Sequence, residues 1–276
     1  MLSQTFRPSA ATRNVVKSYH IRHFELPCNA SIVKPYPARP EQSLVFYPRE
    51  RELVEFADGR QFTRPQAMIM NQYTVRTNRQ TANDFLVIIA ELQPGVASQL
   101  IKMNLYGLMN TDLDAQCVLT SEVSGLMERL RETSHYGTMI SHVESYVVHL
   151  ASAARFDLQP VDRVARYLIE NNGSCSLDWL ADQSCLSARQ FERKFKERLG
   201  VGPKTYMRLI RMHESYKMKS LYPHMSWMDT AISCGYHDYQ HMVRDYKQFA
   251  NATPTTLWTE QRQAPENLLG MSETFS

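Results

Sequence analysis

The sequence predicts an α+β chain: a β-rich, barrel-like N-terminal half, then an all-α C-terminal half of two helix, short turn, helix units joined by a further helix. Three observations carry this expectation. Residues up to Leu92 break into short β-rich runs punctuated by turn residues, and Gln93-Pro94-Gly95 ends that texture. Amphipathic helical periodicity takes over beyond it. Finally, one seven-residue layout occurs twice near the C-terminus, as Gln190-Phe191-Glu192-Arg193-Lys194-Phe195-Lys196 and as His241-Met242-Val243-Arg244-Asp245-Tyr246-Lys247, with Arg193 and Arg244 51 positions apart.

In chain order, strands are expected over Ser18–Leu26, Ser43–Tyr47, Arg51–Ala57, Gln61–Thr63, Ala67–Met70, Tyr73–Arg76 and Asp84–Leu92, with Asp58-Gly59 as a hairpin turn. Several short strands with such turns make a barrel or a sandwich. Helices are expected over Val96–Leu105, Ser121–Thr133 and Thr138–Ala154, the middle one through the stripe Val123, Leu126, Met127 and Leu130. This gives a domain over 1–155, a short linker from Arg155 to Pro160, a second domain over 160–260 and a loose polar tail over 261–276.

Within the second domain, Leu177-Asp178-Trp179-Leu180-Ala181-Asp182 is a short apolar helix, and Ser187-Ala188-Arg189-Gln190 has the form of a capping box that starts the next one. The arrangement recurs. Ser226-Trp227-Met228-Asp229 caps a helix carrying Ala231 and Ile232, Gly235 supplies a left-handed turn, and a new helix begins near His237 or Asp238. Ala181 and Ala231, 50 positions apart, leave room for the helices of each unit to approach. Between the units, Pro203 to Leu221 reads as one helix with Pro203 in its first turn and Tyr206, Leu209, Ile210, Met212, Tyr216 and Met218 as its apolar stripe. Nineteen residues at 1.5 Å each span about 28 Å, close to the ~34 Å between successive major grooves on one face of B-form DNA.

The segment from about Asp162 to Trp258 resembles the paired helix-turn-helix domain of the AraC/XylS family of bacterial transcription regulators. The resemblance rests above all on Ser187–Gly200, Arg211, Ala231–Tyr236 and Arg244–Pro254, and covers about a third of the chain. It implies that Arg189, Glu192 and Arg193 of the first reading helix, and Tyr239, Gln240, His241 and Arg244 of the second, face base edges. It also implies a β-barrel, cupin-like N-terminal domain that senses a small effector or supports dimerisation. The sequence departs from the family pattern at Cys185 and Asn251, where glycine is common, and at Ser215, Met218 and Lys219 in the linker helix.

The residue types suit those roles. Arginine donates two hydrogen bonds to guanine, glutamine pairs with adenine, and glutamate accepts from the cytosine amino group. Arg193 and Arg244 are the leading candidates. Lys194, Lys196, Lys204 and Lys247 suit phosphates, where charge matters more than direction. Phe191, Phe195, Met242 and Tyr246 read as core.

Composition agrees without adding detail. The 276 residues are 43% hydrophobic and carry a net charge of +3. Between Val161 and Glu260, 14 Lys and Arg face 11 Asp and Glu, so the whole surplus lies in the helical half. Five cysteines without a Cys-x-x-Cys pair argue against a disulfide framework or zinc cluster, and neither a signal peptide nor an apolar run of membrane-spanning length is evident, so a soluble cytoplasmic protein is expected. No cofactor and no metal are expected. His23 and Glu25 share a strand face, but His20 lies on the other and no third ligand is visible. No Gly-x-Ser-x-Gly, phosphate loop or His-x-His constellation points to catalysis. The expected function is therefore a non-enzymatic regulator that binds promoter DNA, with RNA polymerase, an effector or a second copy as further partners. The rivals are a cupin-like enzyme with an accessory helical module and a protein-interaction scaffold.

Overall fold

The computed structural model describes residues 2–26, 31–81, 83–119, 121–154 and 156–263. Cys28, Arg155 and most of the expected tail lie outside them. The N-terminal half contains strands β1 (Leu2–Phe6), β2 (Val16–Glu25), β3 (Ile32–Tyr36), β4 (Ser43–Phe46), β5 (Leu53–Phe56), β6 (Gln61–Thr63), β7 (Ala67–Met70), β8 (Thr77–Thr81), β9 (Asp84–Leu92) and β10 (Asp112–Asp114). Two antiparallel sheets result, one ordered β1-β2-β9-β4-β7-β10 and the other β3-β8-β5-β6. Helices α1 (Val96–Leu100), α2 (Ala115–Val118), α3 (Glu122–Glu132) and α4 (Tyr136–Ala154) complete this half.

Side-chain alternation along the central strands creates two cores. On β9, Leu86, Ile88, Ala90 and Leu92 point to a core shared with α3 and α4, while Phe85 and Val87 point into the space between the sheets. On β7, Ala67 and Ile69 take the first side and Met68 and Met70 the second. The large sheet is thus buried on both faces, which is why its inner strands read as unbroken apolar runs.

The space between the sheets also holds charge. Arg64, 1% exposed, lies 2.8 Å from Glu52 and 3.0 Å from Asp112, and donates to the Tyr47 hydroxyl at 3.1 Å. Burial alone would lift the Glu52 carboxyl, but Arg64 and Arg79 outweigh it and hold the group below its ordinary range. Tyr47, Met68, Met70 and Tyr73 are packed core residues here, and Tyr36 lies under the Arg79 guanidinium, 3.1 Å from its ring centroid.

Several boundaries differ from expectation. Tyr73–Arg76 is not a strand; the chain extends instead at Thr77–Thr81, whose Thr77, Arg79 and Thr81 are buried without being apolar. The helix at Val96 ends at Leu100, with Lys102 in the left-handed region at φ 52°. Residues 261–263 continue a final helix, so the described part of the expected tail is ordered.

The C-terminal half consists of α5 (Pro160–Glu170), α6 (Leu177–Gln183), α7 (Ala188–Leu199), α8 (Pro203–Leu221), α9 (Trp227–Ser233), α10 (Tyr239–Ala250) and α11 (Pro254–Gln263). Its two cores share α8. The first gathers Leu180, Ala181, Phe191, Phe195, Tyr206 and Ile210, and the second gathers Leu209, Met212, Ala231, Met242, Tyr246 and Phe249. Both alanines that were expected to sit at close helix approaches are buried.

The halves are joined at several points. Arg198 of α7 is ion-paired with Asp162 of α5 and donates to the Gly95 carbonyl at 3.1 Å. Leu105 donates its amide to Glu197 at 2.9 Å. On the other unit, the Ala38 amide meets the Phe249 carbonyl at 3.0 Å and Arg76 pairs with Glu260 at 2.8 Å.

Candidate nucleic-acid interface

Both units turn in the same way, residue for residue. In the first, the Cys185 amide donates to Asp182 at 2.9 Å and the Leu186 amide to Ala181 at 3.1 Å. Fifty positions later, Gly235 donates to Ile232 at 3.0 Å and Tyr236 to Ala231 at 3.0 Å. Cys185 (φ 53°) and Gly235 (φ 74°) are both left-handed, so the cysteine performs the glycine's backbone task.

The helix after each turn is started by a polar cap. Ser187 and Gln190 form the expected capping box on α7, and Gly200 (φ 80°) ends it. On α10, Asp238 accepts from the His241 amide at 2.6 Å, and Asn251 (φ 47°) takes the left-handed position at the end. Ser226 caps α9 by accepting from the Asp229 amide at 3.0 Å. The hydrogen bonds from the His241 amide and from His237 hold the Asp238 carboxyl below its ordinary pKa, so it stays anionic at the helix start.

Each second helix buries one face and exposes the other. Phe191, Phe195 and Leu199 of α7, and Met242, Tyr246 and Phe249 of α10, are buried. On α7, Arg189, Glu192, Arg193 and Lys194 are exposed and Lys196 is half-buried. Arg193 keeps 65% of its side chain in solvent, with Glu197 3.6 Å away, and Lys196 pairs with Glu192 at 2.8 Å. Exposed pairs of this kind contribute only about 0–1 kcal/mol, so they yield readily to a nucleic-acid partner.

On α10, Gln240, Arg244 and Lys247 are exposed. Tyr239 and His241 are not free in the same sense. Tyr239 packs against the second core, and the His241 ring stands edge-on to Tyr236 at 5.2 Å. Lys204 is exposed in the first turn of α8. The linker substitutions have partners: Ser215 lies 2.9 Å from the Tyr246 hydroxyl, and Lys219 donates to the Pro223 and Met225 carbonyls. Arg211 reaches across from α8 to the second turn, 3.4 Å from the Gly235 carbonyl and 5.3 Å from the Tyr236 ring centroid.

Two features escaped sequence reasoning. Asn104 and Tyr106 of the N-terminal half line a notch of about 300 Å³ together with Arg189, Glu192, Arg193, Lys196 and Glu197 of α7. Their nearest position on α7 is over 80 residues away, beyond any local pattern. The missing third metal donor also exists: Asp84, register partner of Glu25 on β9, brings its carboxylate within 4.8 Å of His23 and Glu25. Arg49 reaches into this group, 2.7 Å from Asp84 and 3.2 Å from His23, so its guanidinium already offsets part of the carboxylates' charge. Among the described residues no helix is long and apolar enough to cross a membrane.

Residues 180–259 match the family model described as a helix-turn-helix domain. No curated protein matches the chain. Among solved structures, the chain is similar to ToxT from Vibrio cholerae, at 9% identity over 89% of this chain and 99% of that one, with a TM-score of 0.48. A second form of ToxT aligns at 11% identity over 88% and 97%, also at 0.48. The AraC-like transcriptional activator CuxR aligns at 12% over 78% and 87%, with a TM-score of 0.30. Residues 180–259, the segment that matches the helix-turn-helix domain model, hold both turns and both exposed helices.

Proposed function

We propose that the chain is a sequence-specific transcription regulator that grips promoter DNA through α7 and α10, and that its N-terminal half governs this grip. One observation carries the reading: the same turn is built twice, 50 residues apart, and each copy delivers a capped helix with a buried apolar face and an exposed face bearing arginine. Buried faces explain the helices. They do not explain why both outward faces carry long hydrogen-bonding side chains at matching positions. Arg193 and Arg244 would each pair with a guanine, Gln240 with an adenine and Glu192 with a cytosine amino group, while Arg189, Tyr239 and His241 contact neighbouring base edges. Lys194, Lys196, Lys204 and Lys247 would neutralise phosphates.

Control by the N-terminal half follows from how closely it is joined to the readers. Arg198, on the same helix as Arg193, is held by Asp162 and Gly95, so a shift at Gly95 bears directly on α7. A small effector or a second copy bound to the N-terminal half would change the population of DNA-competent arrangements. The protein would then recruit or obstruct RNA polymerase at the promoter, without chemistry of its own, in the cytoplasm.

The test is a binding measurement on selected DNA sites across a range of salt. Affinity should fall steeply as salt rises. Arg244→Ala should cost about 1–3 kcal/mol on the preferred site and relax preference at one position, with unchanged thermal stability. Tight binding indifferent to salt would rule out a phosphate-gripping module.

A further inference from the structure

We propose that the loop over residues 102–107 of the N-terminal half is a third DNA-contacting element, laid against the phosphate strand that borders the groove occupied by α7. This rests on the reading of α7 as a groove-entering helix and adds a contact from outside the helix-turn-helix domain.

The loop is fixed to α7. Leu105 is fully buried, its amide donates to the Glu197 carbonyl at 2.9 Å, and its own carbonyl lies 3.4 Å from where a side chain on Gly200 would begin. The loop backbone thus runs at contact distance from the end of α7. From this anchor Asn104 and Tyr106 project on either side of Leu105, and both line the notch beside Arg189, Glu192, Arg193 and Lys196. Those are positions i, i+3, i+4 and i+7 of one helix face, the face that carries the reading residues. Tyr106 is 64% exposed, and the Asn104 side chain accepts from the Tyr106 amide at 2.8 Å, which stiffens the turn.

Such a neighbour either blocks the DNA or touches it. A helix of ~10–12 Å diameter fills a major groove ~12 Å wide, so a group standing beside the reading face meets the flanking phosphates rather than the bases. The chemistry of the loop favours contact. Lys102, Asn104 and Tyr106 are all hydrogen-bond donors of the kinds that hold phosphate oxygens, and 102–107 contains no acidic residue to mimic DNA or repel it. Nor is the reading face covered, since Arg189, Glu192 and Arg193 all remain exposed.

The contact is with backbone, so its test needs no operator. Full-length protein is titrated with a mixed-sequence duplex of about 40 base pairs, roughly four helical turns, at several salt concentrations. Tyr106→Phe and Asn104→Ala should each weaken binding about three- to tenfold, equally for unrelated duplexes. Tyr106→Lys should steepen the dependence of log affinity on log salt by about 0.9, one added phosphate contact. Tighter binding by Tyr106→Phe or Asn104→Ala would mean that the loop obstructs DNA and would overturn the proposal, as would an unchanged slope in Tyr106→Lys. Should wild type itself show no salt-dependent binding while remaining folded, the DNA reading of α7 fails; a wild type that binds, beside variants that match it, sinks only the loop.

Discussion

Arg193 and Arg244 hold equivalent places in the duplicated pattern and are solvent-facing in the structure, yet what precedes each differs by one strained residue. Cys185 takes φ 53° where the second unit has Gly235 at φ 74°. A left-handed backbone costs an L-residue roughly 1–2 kcal/mol, whereas glycine gives up roughly 0.5–1 kcal/mol of extra entropy on folding. Cys185→Gly should therefore stabilise the protein by about 0.5–1 kcal/mol, read as a small rise in the thermal midpoint. Gly235→Ala should do the reverse, through backbone strain rather than crowding, since the nearest atom to an added Cβ, the Ser174 hydroxyl, is 3.8 Å away. Equal midpoints for all three proteins would show that neither turn is strained. Departures from family pattern at single residues are thus of two kinds. Asn251 adopts the left-handed conformation that asparagine tolerates, while Cys185 adopts it at a cost.

At the scale of elements, α8 is the member that the two helix-turn-helix units share, and its unusual residues serve as fasteners. Lys219, only 8% exposed, lays its ammonium 5.1 Å from the Trp227 ring centroid and donates to two carbonyls of the 222–226 connection. Lys219→Met keeps the apolar stem but leaves those carbonyls to water and removes the cation from the ring. A loss of about 1–2 kcal/mol is expected in denaturant unfolding, with an unchanged helical circular dichroism signal in the native state. A variant as stable as wild type would show that the stem alone matters. Elements differed greatly in how legible they were. Helices α6 to α10 announce themselves locally, through Ser187-x-x-Gln190, through Pro203 and through apolar residues at helical spacing, so their starts could be read almost to the residue, whereas α5 and α11 were not read. Four strands were missed: β1, a mostly exposed edge strand, β3, which carries Pro35, and β8 and β10, whose burial contradicts their composition. β8, Thr-Asn-Arg-Gln-Thr, is polar yet lies inside because Arg79 stacks on Tyr36, and β10 is three residues long with Asp112 buried against Arg64. Pairings such as Arg64 with Asp112, or Tyr106 with the face of α7, join residues 48 or more positions apart, and no periodicity encodes them. Reading α7 and α10 as candidate DNA contacts needed only their own sequences; finding what stands beside them needed the fold.

For the whole molecule, the joints between halves decide whether a signal in one can reach the other. His213 of α8 sits at such a joint, 3.7 Å from Glu41 of the N-terminal half. Burial pushes its pKa down to about 4, against the partial help of Glu41, so the imidazole is neutral at neutral pH and its protonation is resisted by the fold. A histidine depressed from 6.5 contributes stability that is fully present above its unfolded pKa and is lost as pH falls through the folded value. The window is therefore about pH 6.5 down to 4, and the contribution is on the order of 3 kcal/mol. The joint of Arg76 with Glu260 keeps its cation throughout that range. Burial lifts the Asp162 carboxyl above its ordinary value, so the Arg198 joint weakens as well when pH falls, and acid should loosen both it and the α8 joint. In scanning calorimetry the wild-type midpoint should drop across this window, while His213→Gln, which has no proton to take up, should start lower at pH 7 and fall less steeply. Parallel profiles for the two proteins would mean that some other group governs acid loosening, and that the neutral imidazole is a bystander at the interface.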